Sequence, residues 1–168
     1  WTKQTKVVCF TDSKVRKKLD KVVIEKRIVL KVDGKIVFQF DTIPTQLEEL
    51  ACGYLVSESK INAFKDIEKI KIVSDEIDVK LNLINEKKPV ESKNSDWFCT
   101  NIQIIQMLAW FQENSLLYTQ TGTTNSGGIA KKGELCYFIE DLSGLAAVDK
   151  VIGLAFKDSC DFEDKVLI

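Results

Sequence analysis

The chain has 168 residues, a net charge of −1, five cysteines and no histidine. Its length suits one compact domain, or one domain with a small subdomain, and its 45% hydrophobic and 29% charged residues are typical of a globular protein. The near-zero charge gives no basic field for nucleic acid, and the missing histidine excludes Ser-His-Asp catalysis, Cys-His catalysis and imidazole metal ligands. No apolar run approaches the ~20 residues that cross a bilayer.

The cysteines are scattered along the chain, and no two of them form a CxxC pair. An odd, scattered set is typical of a reducing compartment, so we expect a cytoplasmic protein. The chain begins with WTKQTK and ends with EDKVLI, which resembles the first residues of a strand. We therefore expect a chain that is truncated at its C-terminus.

The first elements are predicted to be strands. Residues 6–10 indicate a short edge strand, and the basic stretch 11–20 indicates a solvated loop. Asp33-Gly34 lies between two β-rich runs, residues 22–32 and 35–40. This dipeptide predicts a tight hairpin, because both central residues must take positive φ.

A helix is predicted to begin at Thr45, which forms a capping box with Glu48 three residues later. Gly53 in the middle of this helix costs roughly 1 kcal/mol relative to alanine, which suggests close backbone packing there. The alternating runs 67–73 and 77–83 then predict a second hairpin, and residues 85–96 predict a mobile polar loop.

The middle of the chain contains a glycine-rich stretch. Asn101 is predicted to cap a helix that reaches residue 114, and residues 116–119 indicate a strand. Residues 121–128, TGTTNSGG, predict a turn whose free backbone N–H groups suit an anion or phosphate. A tight connection between strands is the alternative interpretation.

The last third of the chain is predicted to contain a buried helix. Residues 134–139 indicate a strand. Within the stretch 139–156, the apolar spacing indicates a helix whose start is capped by Asp141 or Ser143. Asp149 and Lys150 are adjacent on this helix and do not face each other, so each needs a partner from elsewhere. Residues 165–168 indicate a last strand.

Hairpins followed by alternating helices and strands predict an α+β (α/β-like) fold in which helices pack on a mixed β-sheet. We divide the chain into a hairpin and helix subdomain, residues 1–96, and a second portion, residues 97–168.

Two features could carry chemistry. Glu140 and Asp141 could be a carboxylate pair for proton transfer or helix-capping acids, since neighbours on a strand point to opposite faces. Cys99 lies near a predicted helix N-terminus, a position that favours the reactive thiolate, so it is the candidate nucleophile. A buried structural thiol is the alternative for Cys99.

Three stretches together resemble one protein family. They are IPTQLEELACGYLVSESKI (residues 43–61), LLYTQTGTTNSGGIA (116–130) and GELCYFIEDLSGLAAVDKVIG (133–153). They are similar, in the same order, to a helix, a glycine turn and an EDxGRHNAxDKxIG helix of the formate dehydrogenase accessory sulfurtransferase family, FdhD/NarQ. The resemblance covers most of residues 21–168.

This resemblance implies a cytidine-deaminase-like core plus an N-terminal β-hairpin subdomain. It also implies sulfur transfer from a cysteine desulfurase to a molybdenum or tungsten bis-guanine-dinucleotide cofactor, which then enters formate dehydrogenase. The sequence has no direct motif for binding this cofactor. The resemblance implies cofactor or guanine-nucleotide contacts at Thr121, Gly122, Asn125, Glu140, Asp141, Asp149 and Lys150.

The polar residues of the family match less closely. Its CxxC loop should precede residue 101, where this chain has only Cys99. Asn125 stands at or near the histidine of TGGxH, and residues 143–146 (SGLA) replace the arginine, histidine and asparagine of GRHN.

Two hypotheses follow from these matches and departures. The first is an accessory protein that handles the pterin cofactor or carries sulfur on Cys99. The second is a non-catalytic paralogue that binds a guanine nucleotide or a partner protein. A zinc hydrolase of the cytidine deaminase type is not favoured, because histidine and paired cysteine ligands are missing. Neither nucleic acid nor a membrane is an expected partner, and a homodimer is left open.

Overall fold

The computed structural model describes residues 1–11, 14–82 and 99–168, and its first element is a long two-stranded ribbon. β1 (Thr2–Thr11) pairs antiparallel with β2 (Lys14–Val23) along its whole length. The predicted loop over residues 11–20 is therefore wrong. A lysine-rich sequence can form a strand when it lies at an edge and its charges stay in water.

A four-stranded sheet follows, with the strand order β4-β3-β6-β5. It contains β3 (Lys26–Val32), β4 (Lys35–Thr42), β5 (Ile67–Val73) and β6 (Glu76–Leu81). Both predicted hairpins are confirmed, and the first turns at Asp33 (φ 50°) and Gly34 (φ 75°). Because β3 runs parallel to β6 while the other pairs are antiparallel, the sheet is mixed, as predicted.

A three-stranded antiparallel sheet has the order β8-β7-β9. It contains β7 (Asn125–Lys131), β8 (Glu134–Asp141) and β9 (Lys165–Leu167). The predicted glycine turn over residues 121–128 is therefore wrong from residue 125 onward. A Cβ atom on Gly127 would lie 3.0 Å from the Ala147 carbonyl oxygen, so this glycine serves close packing within a strand.

The described part of the chain also contains three longer helices. Two of them begin at residues other than those predicted. The three helices are α1 (Leu47–Ser57), α2 (Asn101–Asn114) and α4 (Gly144–Lys157), with a short 3-10 helix at Phe64–Asp66. The capping box at Thr45 is wrong, because α1 begins after Gln46, whose φ is 51°, and no side chain caps it. Thr100, one residue earlier than predicted, caps α2 through the Gln103 N–H.

The segment after α2 is a short helix, α3 (Leu116–Thr121), and the strand predicted over residues 116–119 is wrong. Two first-turn N–H groups of α3 donate to the Glu140 carboxylate, which lies more than twenty residues later in the sequence. A partner at that distance is not visible in the local pattern. The predicted Ser143 cap of α4 is confirmed, since its hydroxyl accepts the Ala146 N–H at 3.4 Å.

Helices α1 and α4 cross at a pair of glycines. A Cβ atom on Gly53 would lie 1.7 Å from the Asp149 carbonyl oxygen, and one on Gly153 would lie 1.8 Å from the Glu49 carbonyl oxygen. The close backbone packing predicted at Gly53 is confirmed. It allows α4 to contribute Ala146 to the core of the four-stranded sheet and Val151 to the core of the three-stranded sheet.

The α+β architecture with a mixed sheet is confirmed. The division at residues 96 and 97 stays a prediction, and so does the cytidine-deaminase-like description. The predicted polar loop over residues 85–96 lies outside the described residues. Across residues 1–11, 14–82 and 99–168, no helix is both long enough and apolar enough to cross a bilayer.

Candidate functional site

The centre of the candidate site is a fully buried ion pair between Asp141 and Lys150. Asp141 is the last residue of β8, and Lys150 lies on the second turn of α4. Both side chains have no exposed surface, and Lys150 Nζ lies 2.6 Å from Asp141 Oδ2. Lys150 Nζ also donates to the Ile43 carbonyl oxygen at 2.8 Å. The sequence predicted that Lys150 needs a partner from another element. Its partners are the Asp141 carboxylate and the Ile43 carbonyl oxygen.

The Asp141 carboxylate is held by three further donors. Thr42 Oγ1 donates to Oδ2 at 2.8 Å, and the backbone N–H groups of Ser143 and Ile43 donate to Oδ1 at 3.0 and 3.4 Å. These bonds join the end of β4, the link into α1, the end of β8 and the start of α4. Such a network compensates two charges that would otherwise be very unfavourable in the interior.

The burial of Lys150 also affects its titration. Removal from water lowers the pKa of Lys150 from its ordinary value, and the adjacent Asp141 carboxylate opposes that change. Asp141 and Lys150 expose no atom to a ligand in this arrangement. Their present role is therefore to join strands to helices, and their assignment to a cofactor stays a prediction.

Asp149 lies in a different environment from this network. Its Oδ1 accepts a hydrogen bond from Ser57 Oγ at 3.2 Å across the α1–α4 contact. Burial raises the pKa of Asp149 to about 6, with a further contribution from nearby Glu58, while the Ser57 hydrogen bond acts in the opposite direction. Asp149 is thus a carboxyl group that titrates well above its ordinary range.

The parent chain should lose stability as the pH rises from about 4 to about 6, because the Asp149 carboxyl group must ionise in the folded state. The Asp149→Asn variant should not show this loss. The folded state binds more protons than the unfolded state between the ordinary value of 3.8 and about 6, so stability falls as the pH rises through that window. Allowing for partial exposure, the change is about 1 kcal/mol. Urea unfolding at several pH values measures it, with exposed Asp78→Asn as the control. Parallel pH profiles for Asp149→Asn and the parent chain would contradict this assignment.

Glu140 lies on the opposite face of β8 from Asp141 and binds the start of α3. Its carboxylate accepts the N–H groups of Leu117 and Tyr118 at 3.0 and 2.8 Å, and the Thr124 hydroxyl at 3.1 Å. The geometry therefore corresponds to the helix-capping interpretation. Since Glu140 and Asp141 point apart and each is bound to other groups, they do not form a shared site for proton transfer.

The residues proposed for an anion-binding turn are bound to neighbouring backbone groups. Asn125 Nδ2 donates to the Leu142 carbonyl oxygen at 2.7 Å, and Thr121 Oγ1 donates to the Leu117 carbonyl oxygen at 2.7 Å. Gly122, with φ 68°, ends α3. The structure brings Thr121, Gly122, Asn125 and Glu140 together around α3, but it gives them internal structural partners.

Cys99 lies at the other end of the β7–β8 hairpin. It is half-buried and stands one residue before Thr100, the cap of α2. Gln103 Nε2 donates to the Lys132 carbonyl oxygen at 3.0 Å, which fixes the start of α2 beside the β7–β8 turn. Asp141 ends β8, and an eight-residue strand is roughly 23 Å long. The structure therefore does not bring Cys99 together with the other predicted residues.

Sequence reasoning missed several members of the buried network. Thr42 is 99 residues from Asp141 in the sequence, and Ile43 contributes only backbone atoms. No local pattern identifies either residue. Across the described ranges, no group of three or more histidine, cysteine, aspartate or glutamate side chains could hold a metal ion.

The fold and the site together define an α+β protein in which a buried ion pair, Asp141 and Lys150, joins a strand to a helix. The FdhD/NarQ family model matches residues 23–100 and 83–168. The chain therefore belongs to the FdhD/NarQ family, and the resemblance inferred from the three stretches is confirmed.

Individual relatives agree with this assignment. The chain is 25% identical over 155 residues to a sulfur carrier protein FdhD of Listeria innocua, an alignment that covers 74% of this chain and 59% of the relative. It is 25% identical over 176 residues to the protein of the same name from Methanothermobacter thermautotrophicus, covering 94% of this chain and 71% of the relative. The chain thus spans only 59% of the length of the Listeria relative.

A solved structure shows the same fold. The crystal structure of a candidate formate dehydrogenase accessory protein from Desulfotalea psychrophila superposes with a TM-score of 0.77 at 20% sequence identity. The match covers 99% of this chain and 71% of that protein.

Proposed function

We propose that this chain is an accessory protein of formate dehydrogenase maturation that handles sulfur for a molybdenum or tungsten bis-guanine-dinucleotide cofactor. The observation that carries the proposal is membership of the FdhD/NarQ family across most of the chain. The names of the relatives, sulfur carrier protein FdhD, support the same role. A cysteine desulfurase would supply the sulfur, and formate dehydrogenase would receive the finished cofactor.

We further propose that Cys99 is the sulfur carrier. It is half-buried just before the start of α2, so part of the residue is accessible to a partner protein. The Cys99 thiolate would attack the outer sulfur of the desulfurase persulfide. A new S–S bond would form on Cys99 while the old one breaks, and the desulfurase would leave as a thiolate, so no external oxidant is needed.

Mass spectrometry after incubation with a cysteine desulfurase and cysteine tests this role. The parent chain should gain the mass of one sulfur atom on the Cys99 peptide, and Cys99→Ser should not. Cys136→Ser, which removes an exposed cysteine on β8, should be modified like the parent. An unmodified parent chain, or equal modification of Cys99→Ser, would exclude Cys99 as the carrier.

A second candidate function is a non-catalytic paralogue that binds a guanine nucleotide or a partner protein. The internal hydrogen bonds of Asn125 and Glu140 favour its non-catalytic character, because the side chains at these positions of the family's polar motifs are already bonded within the chain. Titration calorimetry with GDP distinguishes the two functions. Heat of binding without persulfide formation would favour the paralogue, and no heat at millimolar GDP would count against a nucleotide site.

We also propose a reducing cytoplasmic location. All five cysteines are free thiols, which supports a compartment where disulfides do not persist. Cys52 is fully buried and burial raises its pKa to about 11, so we do not propose it as a second sulfur carrier.

A further inference from the structure

The β1–β2 ribbon has one face on which eight exposed side chains form four facing pairs. We call it the open face, and its pairs are Phe10 with Val15, Val8 with Lys17, Lys6 with Leu19, and Gln4 with Lys21. Phe10 is 76% exposed, Val15 is 64% exposed and Leu19 is 60% exposed. A two-stranded ribbon is marginally stable on its own in water, and exposed apolar side chains gathered on one face mark an interaction surface.

The positive charge of the chain is concentrated in this ribbon. Residues 1–23 contain seven lysine or arginine residues and two aspartates, a net charge of +5, which leaves −6 for the rest of the chain. Lys6, Lys17 and Lys21 lie on the open face, and none of its eight residues is acidic. The net charge of −1, which predicts no basic field, therefore conceals a strongly basic element. The partner of the open face should be anionic.

The open face becomes more apolar toward the link between the two strands. Phe10 and Val15 form its last pair before that link, and the next pair adds Val8. Successive pairs on one face of a ribbon are about 7 Å apart, so Lys17 lies about 7 Å from the Phe10 pair and Lys6 lies about 14 Å from it. The face therefore has an apolar end followed by a row of lysines.

The opposite end of the ribbon is held by the rest of the chain. The Ile24 N–H donates to the Trp1 carbonyl oxygen at 2.9 Å, and Lys21 Nζ donates to Gln120 Oε1 of α3 at 2.8 Å. The apolar pair at Phe10 lies about 20 Å along the ribbon from the Lys21 pair. The apolar end thus extends away from this attachment.

We propose that the open face binds an anionic lipid surface. Phe10 and Val15 insert at the boundary between headgroups and acyl chains, while the ammonium groups of Lys6 and Lys17 stay at the level of the lipid phosphates. The sequence predicts no membrane partner because it has no spanning run, but this contact is peripheral and needs none. The proposal goes beyond sulfur handling and does not depend on it.

A nucleic acid is also anionic, but it does not suit the apolar side chains of this face. Valine and leucine neither stack on bases nor donate hydrogen bonds to them, so Val8, Val15 and Leu19 would remain in water beside a phosphate backbone. At a bilayer boundary the same side chains leave water, and the gain is proportional to the apolar area buried. The cytoplasmic leaflet, which the proposed location places within reach, carries a negative surface potential. Lipid is therefore the favoured partner.

Co-sedimentation with vesicles tests the proposal. The probes are vesicles of phosphatidylcholine with one third phosphatidylglycerol and vesicles of phosphatidylcholine alone. The parent chain should bind the anionic vesicles and not the neutral ones. Raising NaCl from about 0.1 M to about 1 M should weaken this binding, because the Debye length falls from about 10 Å to about 3 Å.

Substitutions on the open face should weaken the binding by predictable factors. Lys6→Gln with Lys17→Gln should lower the affinity for anionic vesicles about 30-fold, since each lysine near such a surface contributes a factor of about five. Phe10→Ser should lower it at least about 10-fold, because a phenylalanine side chain no longer leaves water.

Matched variants keep the test specific. Lys69→Gln with Lys71→Gln makes the same charge change at exposed lysines of β5, and Phe64→Ser removes an exposed phenylalanine outside the ribbon. Both should bind like the parent, and urea unfolding establishes that each variant is folded. The proposal is overturned if the parent chain does not bind anionic vesicles, if it binds neutral vesicles equally well, or if the open-face variants bind like the parent. Binding of a labelled DNA duplex through the same lysines, without vesicle binding, would also overturn it.

Discussion

Lys150→Met is expected to lower the free energy of unfolding by about 3–5 kcal/mol, the usual effect of leaving one member of a buried ion pair without its partner. The substitution keeps the length and apolar stem of the side chain but leaves the Asp141 carboxylate without its cation. The Ile43 carbonyl oxygen also loses one of its donors, Lys150 Nζ at 2.8 Å, and keeps the Thr45 N–H at 2.7 Å. Urea denaturation of the two proteins measures the difference.

Lys157→Met is the matched control, because it makes the same change on the same helix. Lys157 is 25% exposed and binds the Glu48 and Glu49 carboxylates at 2.7 and 2.6 Å. A partly solvated pair of this kind contributes about 1 kcal/mol or less. Adding Asp141→Asn to Lys150→Met should recover part of the loss, since an amide is less unfavourable than an unpaired carboxylate. Strictly additive losses would contradict a coupled buried pair.

Gly153→Ala is expected to destabilise the protein by about 3 kcal/mol, despite the better helix propensity of alanine, which contributes up to about 1 kcal/mol in the other direction. The new methyl group would lie 1.8 Å from the Glu49 carbonyl oxygen, which belongs to the backbone and cannot rotate away. Helices α1 and α4 must separate to admit it. That movement would also disturb the contacts of the link into α1 with Lys150.

Gly144→Ala provides the control for this glycine. It lies in the first turn of the same helix, and the nearest atom to the added methyl group would be Asn125 Cγ at 3.9 Å, an ordinary contact. Its stability should be unchanged or slightly increased. Thermal and urea unfolding of both variants distinguish a local packing conflict from a general effect of alanine on helix stability. Equal stability of Gly153→Ala and the parent chain would contradict the close crossing of α1 and α4.

Elements specified by neighbouring residues could be predicted from the sequence. The hairpin at Asp33-Gly34 depends on two adjacent residues that adopt positive φ, and the start of α4 depends on the Ser143 hydroxyl, which accepts an N–H only three residues later. The need of Lys150 for a partner followed from its place on an apolar helix. The family followed from three stretches whose order is retained.

Features that depend on distant residues could not be predicted in this way. Residues 116–119 of α3 resemble a strand, and the helical start of α3 is stabilised by Glu140 from another element. Gly127 and Gly128 resemble a turn, but they are strand residues that admit the Ala147 backbone and the Phe111 ring. The choice of Thr42 and Ile43 as the surroundings of the Asp141–Lys150 pair depends on packing between elements about one hundred residues apart.

Restoration of formate dehydrogenase activity tests the proposed accessory role most directly. The measurement is formate oxidation in host cells that lack their own FdhD-type protein and are supplied with this chain, with the host protein as the positive control. The proposal predicts that the parent chain restores activity and that Cys99→Ser does not, at equal levels of folded protein. Absence of activity with folded parent chain present, while the host protein restores it, would contradict the proposed function.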